Sequence, residues 1–390
     1  MLHNRYLVPG GEDQSSVAEA ALLRDHGHEV EFLEEDNRRV EQLGQVRTAL
    51  RTVWSRESYR RIDEKLRCGQ FDVLHVQNFF PLWSPSVYYA ASRNNVPVVQ
   101  TLHNYRLMCV NSLLFRDQHI CEECLGRLLP WRGVVHACYR QSRAASAVVA
   151  GMAGAHKLAG TWRNRVKTYI AVSEFARTKY IAGGLPAGKI VVKPNFIHPT
   201  PAPGTGGGGY ALYVGRLSPE KGIATMLEAW KSARNAMPLK VVGEGPLAEL
   251  VVAAGRACQK IEHLGGRPLP EVLDLMRSAE FLVFPSEWYE TMGRTIMEAF
   301  AVGTPVVAAN IGPPASMVVP GETGFHFAPG NVAELRERVE WCSCNLEQLR
   351  GLRSKARQAF QAVYTGAANA AMLVAIYRMA QEQEPPARTK

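Results

Sequence analysis

Residues Pro285–Gly303 read PSEWYETMGRTIMEAFAVG. In front of them stands Phe281-Leu282-Val283-Phe284, an apolar run with the length and residue types of a strand buried in a parallel sheet. The pattern predicts a helix from near Gly293. A loop therefore joins strand to helix and carries Glu290, while Glu298 falls about one and a half turns into the helix. The amides of Thr291, Met292 and Gly293 would point out of the helix N-terminus, where unpaired donors and the positive end of the dipole favour an anion such as phosphate. Gly293 lets that anion come close. Glu290 would then face a group beside the phosphate, and Glu298 would reach hydroxyls from the helix flank. The plainer reading is two solvated acids near a helix start, where acids are common. For one Glu pair alone the plainer reading wins, and the rest of the chain has to decide.

Taken with AFAVGTPVVAANIG behind it, this loop resembles the paired-glutamate signature of the retaining glycosyltransferases of family 4. The resemblance implies an α/β chain of the GT-B fold, two facing Rossmann-like domains with parallel sheets. It also implies a nucleotide-sugar donor, with Glu290 contacting the donor sugar and Glu298 the ribose hydroxyls. The leaving phosphate itself would take the acceptor proton.

The chain has 390 residues, enough for two domains that each bury a core. With 46% hydrophobic and 21% charged residues it has the composition of an ordinary globular protein. No long uncharged apolar stretch and no basic-then-apolar leader stand out, so the expectation is a cytoplasmic protein. Charge is uneven: residues 1–200 hold 26 Lys and Arg against 18 Asp and Glu, and the remainder 19 against 18. Cys124–Ser173 contains eight Lys or Arg and no acid. Such a run suits an anionic partner, whether a membrane surface at which the protein sits peripherally, a lipid-linked or other sugar-containing acceptor, or nucleic acid. A solvated basic face explains it nearly as well. Nucleic acid fits worst, because the run lacks the interleaved aromatics that stack bases.

Near the N-terminus, His3-Asn4-Arg5-Tyr6 leads into Pro9-Gly10-Gly11-Glu12, an amphipathic helix and a strand opening at Gly27-His28-Glu29-Val30. Gly10 and Gly11 permit close backbone approach to a phosphate; by the resemblance this loop closes over the donor diphosphate. Residues 38–67 read as a polar, Arg-rich helical region. Phe71–Val76 and Val98–Leu102 read as buried strands, and the second ends in His103, where ligands bind in open α/β sheets. The family places a histidine there at the reaction centre, a role carried to His103.

An insertion over 106–140 contains Cys109, Cys121, Cys124 and Cys138, the middle pair spaced Cys-Glu-Glu-Cys. Four thiols at this spacing suit a closed structural zinc site, with disulfides and unrelated thiols as the other readings. His136 is a substitute ligand. The helix of the acid-free run, a strand at Tyr169–Val172 and a helix capped by Ser173 complete a first domain ending at about residue 197. His198–Gly209, HPTPAPGTGGGG, reads as a linker.

The second domain, 210–365, opens with a strand and then Gly215-Arg216-Leu217-Ser218-Pro219-Glu220-Lys221-Gly222. Two cations on a glycine-bounded loop between strand and helix are placed to clamp a diphosphate, and the loop is similar, residue for residue, to the family's donor-phosphate motif. Gly243 sits in a strand-end loop at the same face. Arg267 follows Gly265-Gly266, where family members hold the nucleotide base through backbone contacts. Ser316 stands where the family commonly has a Glu. A last helix, 366–382, would by the resemblance cross back to the first domain, and the tail Glu382–Lys390 reads as disordered.

These expectations converge on an enzyme that transfers a sugar from a nucleoside-diphosphate donor with retention. Arg216, Lys221 and the Thr291–Gly293 helix end would supply the positive charge, so no catalytic cofactor is required and zinc would be structural only. A nucleotide-sugar epimerase of the same architecture and a zinc-containing nucleic-acid-binding protein are the alternatives.

Overall fold

The computed structural model describes residues 1–7 and 10–382; Pro9 of the glycine loop and the tail beyond Glu382 lie outside the described residues. The chain divides into two compact units. The first comprises Met1–Leu114, Cys121–Asn195 and the stretch from Ala367 onward; the second comprises Phe115–Ile120 and Phe196–Gly366. Within the insertion expected to belong wholly to the first domain, the short hairpin β5 (Phe115–Arg116) and β6 (His119–Ile120) thus groups with the second unit.

The first unit is built on a six-stranded parallel sheet of β1 (Leu2–Arg5), β2 (Leu33–Asp36), β3 (Leu74–Val76), β4 (Val98–Leu102), β7 (Thr168–Ala171) and β8 (Ile190–Val192), ordered β2-β1-β3-β4-β7-β8. Leu2 pairs with Leu33 on one side and Val76 on the other, so β1 lies inside the sheet despite its nearness to the N-terminus. β2 begins later than its sequence suggests. Gly27, at φ 83°, bonds its amide to Arg24 O and ends the preceding helix, which leaves the residues up to Phe32 as a connection. The Arg-rich region is three helices, Arg39–Leu43, Gln45–Val53 and Arg56–Cys68. Gly44 at φ 74° separates the first two, and Ser55 caps the third by accepting from the Ser58 amide at 3.1 Å. The last helix, Gly366–Glu382, sets Leu373, Ile376 and Ala380 against Leu23, Val99 and Ile170. Positions three, four and seven apart on one stripe are what a helix needs to cover a sheet.

The second unit repeats the architecture with β9 (Ala211–Val214), β10 (Leu239–Val242), β11 (Ile261–Gly265), β12 (Phe281–Phe284), β13 (Val306–Ala309) and β14 (Gly324–Phe327), all parallel and ordered β11-β10-β9-β12-β13-β14. Trp230, Val241, Phe281, Val283, Phe327 and Leu335 form its buried centre. The glycine-rich segment before β9 is not a loose tether. The amides of Gly204, Gly206 and Gly208 donate to Val302, Arg277 and Ser278 carbonyls at 2.8–2.9 Å. The buried Glu280 carboxylate takes the Gly207 and Gly209 amides and Arg350. Backbone satisfied in this way gains order that glycine and proline content alone would not suggest.

In each sheet the order turns back on itself at one point, between β1 and β3 in the first unit and between β9 and β12 in the second. Open α/β sheets bind ligands beyond the carboxyl ends of the strands flanking such a point.

Candidate functional site

At the switch point of the second sheet, the loop after β9 carries Arg216 and Lys221 and the loop after β12 carries Glu290. Backbone contact joins them: the Glu287 amide donates to Glu220 O at 2.9 Å. Gly222, at φ 67°, starts the helix Ile223–Ser232, and a Cβ there would lie 1.9 Å from Pro285 O. No other residue type fits without parting the loops. The approach lets Lys221 Nζ donate to Glu290 Oε1 at 2.5 Å, while Ser286 Oγ donates to the same oxygen at 2.8 Å. Glu290 is buried and Lys221 partly open, its ammonium 5.3 Å from the centre of the Trp288 ring. Arg216 is exposed.

The helix after this loop runs Arg294–Ala301 with Gly293 as its N-cap, as the sequence predicts. Glu298 is buried on it and accepts from Arg294 Nε at 2.9 Å, one turn back. Glu290 and Glu298 are thus both neutralised by a cation, but by different ones. Met292 and Gly293 are buried and Thr291 is half-buried. A third loop, after β10, is held to the first: Leu217 N donates to Glu244 O and Leu247 N to Leu217 O, at 2.8 and 2.9 Å. A Cβ on Gly243 would lie 1.9 Å from Gly215 O, so these two glycines also serve close packing of loop on loop. Arg267 is exposed, its Nε donating to Leu264 O at 3.1 Å and its terminal nitrogen 3.4 Å from Glu271.

In the first unit, the glycine loop is organised by a residue the sequence reading passed over. Asp13 accepts from the Gly10 amide at 2.7 Å, the Tyr6 amide at 3.1 Å and His3 Nε2 at 2.9 Å. Burial works to raise its carboxyl, yet the bonds from His3 and the two amides hold it below the ordinary value. The Gly10 amide, expected to approach a phosphate, is therefore engaged within the protein. Gly11 begins the helix Gly11–Asp25. Beside it, Glu12 Oε2 accepts from Tyr6 OH at 3.0 Å and Asn104 Nδ2 at 3.1 Å, whereas Oε1 is buried with no partner. Burial pushes this carboxyl up to about 7.

His103 stands at the carboxyl end of β4, half-buried, its Nε2 2.8 Å from Gln77 Oε1. Burial first, with the charges of His3, Lys193 and His75 on the same side, pulls the ring down to about 3 against the opposing charge of Glu19, so it is neutral near pH 7.

The cysteine insertion is the place where the sequence suggests a structural zinc. Among the described residues no group of three or more His, Cys, Asp or Glu side chains is placed to hold a metal ion. Cys109, Cys121, Cys124 and Cys138 share a neighbourhood, but the thiols turn to local acceptors: Cys109 Sγ donates to Asn111 Oδ1 at 2.9 Å and Cys124 Sγ to Pro130 O at 3.7 Å. Burial, then the nearby thiols, push Cys124 up to about 11. All eight cysteines are free thiols. His136 lies 3.6 Å from Glu123.

Two family profiles cover nearly all of this architecture. Residues 9–200 match the profile described as Glycosyltransferase Family 4, and residues 204–359 that described as Glycosyl transferases group 1. The chain belongs to the family 4 glycosyltransferases. Its fold is of the GT-B type. The chain is similar to glycogen synthase of Mycobacterium tuberculosis, 36% identical over 33% of this chain and 32% of that one. It is 23% identical to the phosphatidyl-myo-inositol mannosyltransferase of the same organism over 84% of this chain and 81% of that one. Over the first curated relatives it matches, the chain spans about a third to a half of their length, 32% for glycogen synthase and 50% for the Mycobacterium leprae mannosyltransferase. Among solved structures, HepE of Anabaena in complex with UDP and glucose superposes with a TM-score of 0.66 at 19% identity, over 96% of this chain and 98% of that one. A glycosyltransferase of Rickettsia africae gives 0.69 at 17%, over 98% of each.

For a family 4 glycosyltransferase, the second-unit residues named from sequence are the easier ones. Those missed, Asp13, Ser286 and Gln77, hydrogen-bond to Gly10, Glu290 and His103 in turn, the first two from the same stretch of chain and Gln77 from the end of a neighbouring strand.

Proposed function

We propose that this family 4 glycosyltransferase moves a sugar from a nucleoside-diphosphate sugar onto a hydroxyl of a sugar-containing or lipid-linked acceptor, with retention at the anomeric carbon. The observation that carries the reading is the Arg216, Lys221 and Glu290 arrangement at the switch point of the second sheet. In the transfer the bond from the anomeric carbon to the diphosphate oxygen breaks, a bond to the acceptor oxygen forms, and the acceptor proton passes to the leaving diphosphate. Negative charge grows on that diphosphate. Arg216 and Lys221 meet it as preorganised cations, and the Thr291–Gly293 helix end adds donors. No catalytic metal is needed for this stabilisation. Glu290 would touch the donor sugar and Glu298 the ribose; Gly215 and Gly243 would leave room for the diphosphate, and the Gly265–Arg267 turn would border the base. HepE was solved with UDP and glucose, which supports a nucleotide-sugar donor.

The acid-free run supports an anionic acceptor surface. Within it Leu128, Leu129, Trp131 and Val135 are exposed among Arg127 and Arg132, a pattern suited to a headgroup interface. No helix of the described residues is long and apolar enough to cross a membrane.

Screening nucleoside-diphosphate sugars for thermal stabilisation tests the donor half of the reading, since ligand bound to the folded state raises the midpoint. A true donor should stabilise the wild type and not Lys221→Ala. Stabilisation of both to the same degree would remove the clamp from the mechanism.

A further inference from the structure

The transfer chemistry leaves the Arg-rich helices of the first unit unused. On the helix Arg56–Cys68, positions 56, 59, 60, 63, 64 and 67 are three and four apart and so fall on one stripe. Together with Trp54 and with Arg93, the last residue of the helix Ser86–Arg93, they line a cavity of about 460 Å³. That volume lies within the range of small-ligand sites, roughly 300–1,000 Å³. None of the lining residues belongs to the candidate site at the strand ends.

The cations of this region divide into two sets. Arg39 and Arg61 pair with Glu35, Arg51 with Glu57 and Lys65 with Glu31, so their charges are answered within the protein. Inside the cavity Asp63, 5% exposed, accepts from Asn94 Nδ2 at 2.9 Å and from Arg67, and Arg93 Nε lies 3.7 Å from it. Arg56 and Arg60 differ. Both are exposed, and among the described residues neither side chain has an ion pair or a hydrogen bond. Four guanidiniums against the carboxylates of Asp63 and Glu64 leave the lining positive.

Trp54 supplies an apolar surface beside them. It is 40% exposed, yet three neighbouring rings hold it: Tyr59 at 6.1 Å between centroids and 26° between planes, His156 at 6.4 Å and 9°, and Tyr89 edge-on at 5.1 Å. The indole is thus fixed without being covered. A fixed ring face next to unpaired guanidiniums has the chemistry that recognises a sugar ring bearing an anion. The C–H face of a pyranose excludes water from the indole, and a guanidinium fork takes a carboxylate, sulfate or phosphate through two N–H groups. Nucleic acid fits less well, because strand binders offer successive platforms along a basic groove, whereas the two lining rings here, Trp54 and Tyr59, stack on each other.

We propose that this cavity is a binding subsite for a saccharide carrying carboxylate, sulfate or phosphate, its ring on Trp54 and its anion on Arg56 and Arg60, through which the first unit anchors an acidic acceptor chain at a point other than its reacting hydroxyl. The recognition chemistry stands on the cavity alone; the role in holding the acceptor rests on the sugar-transfer reading.

Calorimetric titration of the full chain tests it. The anionic saccharides are a hyaluronan tetrasaccharide, a heparin-derived tetrasaccharide and glucose 6-phosphate; maltotetraose and sodium sulfate control for ring and anion alone. At least one tetrasaccharide should bind tighter than either control by about tenfold or more, and its affinity should fall as salt is raised. Trp54→Ala and the double variant Arg56→Glu/Arg60→Glu should each lose that advantage while keeping a thermal midpoint close to wild type. No anionic saccharide above the controls, undiminished binding in both variants, or tighter binding of an octathymidylate overturns the proposal. Glucose 6-phosphate binding with neither tetrasaccharide would make this a site for a free sugar phosphate and overturn the anchoring role. In kinetics, the double variant should raise KM for an acidic acceptor chain and leave kcat and donor KM unchanged. Saccharide binding by a chain with no transfer activity would retain the subsite and remove the sugar-transfer reading.

Discussion

Lys221 Nζ and Glu290 Oε1 lie 2.5 Å apart across two loops separated by 69 positions in sequence. One cation thus neutralises a buried acid and, on the proposed function, would also meet a leaving diphosphate. Lys221→Ala should lower turnover by about thirty- to a thousand-fold, the ~2–4 kcal/mol of one lost charge-assisted contact at a reacting centre. It should also destabilise the fold, since a buried carboxylate loses its paired cation. Adding Glu290→Gln should restore stability without restoring turnover. Urea unfolding and steady-state kinetics on the two proteins check this, and a double variant less stable than the single one would contradict the pairing argument.

The two glutamates should fail differently. Glu290→Gln, which the proposed function places beside the sugar, should lower kcat by roughly 10²-fold with a modest change in donor KM. Glu298→Gln, paired with Arg294 and remote from the reacting bond, should mainly raise donor KM. Kinetics with a saturating donor distinguish the roles. The reverse pattern would mean that the loop presents its acids the other way round.

Gly222→Ala should disable donor binding although alanine adds a single methyl. The left-handed backbone costs about 1–2 kcal/mol for an alanine, and the methyl would meet Pro285 O. The relief is separation of the Lys221 and Glu290 loops. Calorimetric titration with a nucleoside diphosphate should show the affinity falling at least as far as in Lys221→Ala. An affinity equal to wild type would show that the loops tolerate parting.

Glu12 gives the protein a stability term of unusual sign. Its carboxyl is raised from 4.5 to about 7, chiefly by burial, so between those pH values the folded state holds a proton that the unfolded state has released. Stability from this residue is full below pH 4.5, is lost as pH rises to about 7, and then levels. Glu12→Gln should gain on wild type across that window and not below it. Denaturation midpoints from pH 4 to 8 measure the difference, and a constant offset would contradict the raised value.

His75 and His103 act the opposite way. Burial lowers them from 6.5 to about 4 and about 3, so the unfolded chain binds protons that the folded one refuses. Their contribution is complete above pH 6.5 and is lost as pH falls toward those values. Between pH 6.5 and 4.5 Glu19, held at about 2, is ionised in both states and adds nothing. His75→Asn should therefore lose less stability than wild type over that interval, measured as the shift in urea midpoint.

Two parallel sheets and the strand–loop–helix frame of the second unit's candidate site were legible because their signals are local. Phe281–Phe284 is a strand by composition, Gly293 starts a helix, and the Gly215–Gly222 loop places two cations between a strand and a helix within eight residues. Residues so close in sequence have little freedom to be elsewhere. What depended on distant partners was not legible. That Lys221 pairs with Glu290, that Asp13 consumes the Gly10 amide, and that Glu19 pairs with Lys193, 174 positions away, are decided only when the sheet order brings strand ends together. The Cys-Glu-Glu-Cys spacing shows the same limit from the other side. Spacing can bring two thiols near each other, but four ligands converge only if the folded backbone aims them, and here Cys109 and Cys124 have acceptors nearby. Periodicity and loop chemistry act over a few residues and are written in the chain; hydrogen-bond direction and charge pairing act across space and belong to the fold.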